Sequence, residues 1–185
     1  MAAAATTAVA AEGEEQMAAP IFAVDLSVSP DRKMFGIADS AVGSDVSTPV
    51  PSSAGGWLGI GDSEVLVGTG QDIVEVAVRM ESWAAEPPDD LDPAESSGSA
   101  RLRMPSGRIS VNEITGGWQS DVLELPEPGT YRVRVDAYGR ARTEQAVAEL
   151  FARFEDVSDP AFEAACEELE GRERYVIRIW PDRGA

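Results

Sequence analysis

Residues 127–140 read EPGTYRVRVDAYGR. A Pro-Gly turn releases a segment in which Tyr131, Val133 and Val135 alternate with Arg132, Arg134 and Asp136, and the pattern stops at Tyr138-Gly139-Arg140. Apolar residues at every second position mark a strand that buries one face. The arginines then fall on the opposite face, where they either form a binding surface or neutralise acids on neighbouring strands. Near the other end of the chain ERYVIRIW, 173–180, reads as a second strand that stops at Pro181. One side carries Tyr175, Ile177 and Ile179, and the other carries Val176, Arg178 and Trp180. If the two strands pair, Arg132, Arg134 and Arg178 share one exposed face. Without positions, cross-strand neutralisation is the simpler account of them.

Working back from this stretch, DIVEVAVRMESW at 72–83 repeats the period of two, with Val74, Val76, Val78 and Met80 on the buried side. IFAVDLSV at 21–28 and Met34–Ala38 read as strands that pair across a Pro30-Asp31 turn. Glu64–Thr69 and Val122–Leu125 are further short strands. Ala100–Met104 and Ile109–Ile114 flank Pro105-Ser106-Gly107 and fit a hairpin. After Arg140 the period changes. Val147, Leu150, Phe151 and Phe154 form one helical stripe, and Asp159-Pro160 opens a second helix whose apolar face is Phe162, Ala165, Cys166 and Leu169. Eight to ten short strands with turn signals between them predict a mainly β fold. The architecture expected is an antiparallel β-sandwich of Greek-key or jelly-roll type, with a helical insert at 141–170 before the last strand. The insert is read as a crossover.

The 185 residues suit one domain, 19–182, behind a disordered tail at 1–18. Residues 43–56, GSDVSTPVPSSAGG, have no periodicity and read as a flexible loop. The N-terminus has neither the basic flank nor the apolar centre of a signal peptide, and Met17 offers an alternative start. No apolar run reaches the ~20 residues of a spanning helix, and the single cysteine, Cys166, cannot pair within the chain. A cytoplasmic location is expected.

Fifteen basic against 33 acidic residues leave a net charge of −18. Residues 1–129 hold 6 basic and 21 acidic groups, a net −15, and residues 130–185 hold 9 and 12, a net −3. Such a surface repels nucleic acid and anionic membrane and attracts basic proteins, besides keeping the chain soluble. With no histidine, the chain lacks Ser-His-Asp and Cys-His catalysis and His-ligated metals, and one cysteine excludes thiolate clusters. No phosphate-binding glycine motif is present. No catalytic residue, metal or cofactor is assigned, and the chain reads as a non-enzyme.

EPPDDLDPAESSG at 86–98 gathers three prolines and five acids. It reads as a solvated loop, without the spacing of a calcium loop. Of the four tryptophans, Trp83 and Trp180 end strands and are assigned to the core, while Trp118 follows Gly116-Gly117 and is the candidate exposed anchor. The residues assigned to partner binding are Arg132, Arg134, Arg178, Trp118, Asp89, Asp90 and Asp92. Cys166, on an apolar helix face, reads as buried and inert. The preferred role is protein binding, of inhibitor or immunity type, against a basic partner. Alternatives are a small-ligand or carbohydrate module that stacks its ligand on Trp118 or Trp57, and a metal-assisted enzyme that uses the acidic loop. Oligomeric state is not legible.

VEVAVRMESW, the PPDDLD loop, RLRMPSGRISV, LPEPGTYRVRVDAYGR and ERYVIRIWP together resemble a group of actinobacterial proteins of unknown role. These proteins share a GxYRxRxxxxGR strand and a YxIxxWP strand, and the resemblance covers about residues 58–182. The group is distantly similar to the competence-associated nuclease inhibitors, which implies a β-sandwich. No catalytic residue comes with the resemblance.

Overall fold

The computed structural model describes residues 19–52, 56–89 and 93–184. The tail expected at 1–18, and Asp90 and Asp92 of the acidic loop, lie outside the described residues. Ten strands and two helices follow in the order β1 Phe22–Val28, β2 Met34–Asp39, β3 Leu58–Ile60, β4 Glu64–Gly68, β5 Val76–Ser82, β6 Ser96–Met104, β7 Arg108–Asn112, β8 Trp118–Glu124, β9 Gly129–Tyr138, α1 Arg140–Arg153, α2 Pro160–Glu167 and β10 Arg174–Pro181.

The strands form two five-stranded sheets, β1-β5-β10-β9-β6 and β3-β4-β2-β7-β8. The expected β-sandwich with helices before the last strand is what the chain adopts. Inward residues of both sheets make one core, among them Phe35, Ile37, Val65, Val67, Val78, Met80, Leu102, Ile109, Tyr131, Val133, Ile177 and Ile179. Phe35 meets Tyr175 edge-on across the two layers, with ring centroids 5.4 Å apart. Burial of these alternating positions supplies the main folding drive.

Three local expectations are corrected. β1 and β2 do not pair as strands: β1 joins β5 in one sheet, β2 lies between β4 and β7 in the other, and the Asp31–Met34 bridge is where the chain turns between them. β6 and β7 likewise belong to different sheets, so Pro105-Ser106-Gly107 is an arch and not a hairpin turn. Finally, the helices do not cross over. β9 and β10 are direct antiparallel neighbours, with Arg178 opposite Arg134, and β10 pairs in parallel with β5 on its other side. Local turn residues look alike in all these cases, because an arch between sheets and a turn within one both need Pro, Gly and Asp.

Residues 43–52 pack along the second sheet, where Thr48 is buried and the Pro49 carbonyl lies directly over Gly59. Asp159 caps α2 by accepting from the Ala161 backbone N–H at 2.8 Å, with Pro160 in the first turn. Val147, Val74 and Leu169 form a small second core, with Leu150 and Cys166 against it. Among the described residues no helix is long and apolar enough to cross a membrane.

Candidate binding surfaces

β9 and β10 place Arg132, Arg134 and Arg178 on one side of their sheet, as the alternation predicts, but that side is not uniformly open to water. Arg178 is buried, and the Arg134 side chain is only 13% exposed, whereas Arg132 is 56% exposed. Arg178 donates from Nη1 to Asp136 at 2.7 Å and from Nε to Glu81 at 3.3 Å. Glu81 also accepts from Trp83 Nε1 at 3.0 Å and from Arg79 Nε at 2.8 Å, and Arg79 reaches on to Asp25. Asp136 accepts from Ser97 at 2.6 Å and lies 3.2 Å from Arg134 Nε. Arg134 in turn donates to Asp89 at 2.9 Å and to the Pro88 carbonyl at 3.0 Å. Alternating charges therefore run across the sheet from β1 to β6, and the start of the acidic loop is tied down on them.

Trp83 and Trp180 are buried as expected, but they are not part of the core between the sheets. Further along the same face Asp182 accepts from both Arg101 and Arg132, and Arg101 and Arg132 are directly opposed on β6 and β9. Hydrogen bonds from Arg101 and then Arg132 hold the Asp182 carboxyl below the usual range.

The exposed negative charge concentrates elsewhere. Residues 141–170 contain nine acids against two arginines, a net −7. All nine, Glu144 to Glu170, are exposed. Beside them Phe151 and Ile73 are each nearly half exposed and line a groove of about 260 Å³ with Val147 and Ala148. Trp118 opens the edge strand β8 and is 42% exposed. Cys166 is half-buried, and burial followed by the nearby Glu170 pushes its thiol up, away from the reactive thiolate.

A third feature joins residues distant in sequence. Trp57, Gly68–Gly70, Arg140, Glu144, Lys33 and Arg32 enclose a cleft of about 570 Å³. The Arg140 guanidinium lies 5.3 Å from the centre of the Trp57 ring, which stacks in turn near Tyr175. The adjoining interior holds Glu173, fully buried. It accepts from the Gly70 N–H at 2.7 Å, from the Tyr175 hydroxyl and, at 3.5 Å, from Gln71 Nε2. Burial raises the Glu173 carboxyl, opposed by these hydrogen bonds and by the charge of Arg140. Sequence reading placed Trp57 here only as an alternative stacking residue and missed Glu173, Gln71 and Arg140. A charged Glu173 in the period-two segment 173–180 was the one available signal.

The raised carboxyl has a stability consequence. A folded-state pKa above the unfolded value means that folding takes up a proton, so the Glu173 contribution is fully present below about pH 4.5 and is lost as pH rises through the folded pKa. The stability of the wild type relative to Glu173→Gln is expected to fall as pH rises above the ordinary carboxylate range. Urea melts of both proteins across that rise in pH check it. A flat difference removes the linkage.

No protein-family model matches the chain, and no curated protein matches it in sequence. Two solved structures are similar. One is ComJ from Bacillus subtilis, described as an inhibitor of the DNA-degrading activity of NucA. It is 11% identical over 89% of this chain and 98% of its own, with a TM-score of 0.52. At that identity the likeness is one of fold. The other is the crocagin biosynthetic gene J protein, 20% identical over 87% of this chain and 96% of its own, with a TM-score of 0.46.

Proposed function

We propose that this chain is a non-enzymatic protein-binding module, of inhibitor or immunity type, that masks the cationic site of a basic protein partner. The observation that carries this reading is the exposed insert 141–170, with nine acids against two arginines. A surface of that sign steers a basic partner toward it and repels nucleic acid and anionic membrane. Ile73 and Phe151, half exposed beside the acids, offer an apolar centre to a charged rim, the usual anatomy of an interface. The fold shared with ComJ, an inhibitor of a DNA-degrading activity, supports the inhibitor reading. The lone Cys166 fits work in the reducing cytoplasm.

Among the residues singled out from sequence, Arg132, Trp118 and Asp89 keep exposed side chains for partner contact. Arg134 and Arg178 frame the sheet beneath Arg132 and Asp89, while Trp118 stands on the edge of the other sheet.

Affinity capture from a lysate of the source organism tests the proposal, run at about 0.05 and 0.5 M salt, across which the screening length shrinks severalfold. A single basic protein is expected at low salt and should be lost at high salt. The variant Glu163→Lys/Glu167→Lys/Glu170→Lys, altered only at exposed positions, is expected to weaken capture at least tenfold at low salt with an unchanged melting temperature. Capture that ignores both salt and these charges overturns the electrostatic reading.

A further inference from the structure

The turn before β2 breaks a local rule. Asp31 and Met34 exchange both backbone hydrogen bonds at 3.0 Å, so Arg32 and Lys33 are the two central residues of a tight two-residue turn. Both are left-handed, with φ of 51° and 56°. Turns of this form favour Asn-Gly, because L side chains resist that backbone region. Two long cations occupy it instead, and both are exposed. Backbone strain of this kind persists where something other than stability retains it.

The turn stands on the rim of the Trp57 cleft, where Arg32, Lys33 and Arg140 converge with Glu144, 3.1 Å from Lys33 Nζ, and with Glu173 buried behind Arg140. Three cations to two carboxylates, one of them buried, is the reverse of a chain with 15 basic and 33 acidic residues. Other arginines, among them Arg79, Arg101, Arg103, Arg108, Arg134 and Arg178, are tied to carboxylates. Arg140 has no such surface ion pair among the described residues; it lies against Trp57 with the buried Glu173 and the Tyr175 hydroxyl behind it, and its Nε, like that of Arg134, is shut off from solvent without a hydrogen bond, a costly state for a donor on a cation. A cleft of about 570 Å³ lies within the range of small-molecule sites.

We infer that this cleft binds a small organic anion, a carboxylate or phosphate, held by Arg140 and the Arg32-Lys33 turn against the Trp57 wall. Guanidinium and ammonium donors match either group through charge-assisted hydrogen bonds. Glu144 pairs with Lys33 and competes with the ligand for it. The cleft adjoins the insert and shares Lys33 and Glu144 with the Ile73–Phe151 groove, but the proposal does not rest on the protein-binding reading, since it concerns the cations and a ligand of the opposite sign.

The test uses the full chain with two probes, pyrophosphate and citrate, at ionic strength held constant with sodium chloride. At a hundredfold excess over Kd, at least one probe is expected to raise Tm by roughly 5–10 °C, and the preferred probe identifies phosphate or carboxylate. Lys33→Ala should weaken binding about tenfold, the scale of one charge-assisted contact, and Glu144→Gln should tighten it. The decisive variant is Arg32→Asn/Lys33→Gly, which installs the residues the turn prefers. It should melt higher than the wild type without ligand and bind the anion at least a hundredfold more weakly. The proposal fails if neither probe shifts the wild type, or if this variant binds like the wild type.

Discussion

Replacing Arg178 by methionine is expected to lower stability by about 3–5 kcal/mol. Its side chain is 7% exposed, between Asp136 at 8% and Glu81 at 9%. Removing the guanidinium leaves two buried carboxylates that no longer share a cation, and the energy of breaking such a pair comes chiefly from the charges left behind. Methionine fills much of the space, so the loss reports charge more than cavity. Urea denaturation should show a lower midpoint with an unchanged slope. Arg178→Met/Asp136→Asn/Glu81→Gln, with the charges removed together, should recover a large part of it. A single variant as stable as the wild type would mean that the ladder contributes nothing to stability.

The second large effect is expected at Gly139, where β9 hands over to α1. Its φ is 74°, and an added Cβ would come within 2.5 Å of the Arg172 carbonyl oxygen. Gly139→Ala therefore meets both the left-handed penalty and a clash with backbone, together roughly 2–4 kcal/mol. Because Arg140 is the next residue, the strain also displaces the guanidinium stacked on Trp57. Thermal melts should record the loss, and anion binding at the cleft should weaken with it. An alanine variant that melts like the wild type would mean the junction relaxes freely.

Much of the sandwich was legible because alternation is a local signal. Tyr131, Val133 and Val135 in β9, and Tyr175, Ile177 and Ile179 in β10, all face the core as their spacing required. The same spacing put Arg134 and Arg178 on the other face but carried no information about what lies over that face. The cover comes from Trp83, Trp180 and the Pro88-Asp89 segment, and Asp89 is 45 positions from the arginine it meets. Strand partners were harder still, since β10 finds β5 across nearly a hundred residues. The cleft was the least readable feature. Gly70 and Glu173 are 103 positions apart, and neither belongs to a motif. Only the left-handed Arg32-Lys33 pair is local, and a turn of Arg and Lys does not announce its backbone angles in sequence.

β10 is the middle strand of its sheet and the last to be synthesised. Until residues 174–181 leave the ribosome, β5 and β9 have no common neighbour. Each presents an unpaired edge, and the inward side chains of half the sandwich have nothing to close on. The nascent chain therefore cannot acquire its structure progressively from the N-terminus. Until β10 emerges, strand edges and apolar faces stay exposed, the condition under which partly made chains aggregate. A product truncated before this strand lacks the neighbour that β5 and β9 share and is expected to stay unfolded.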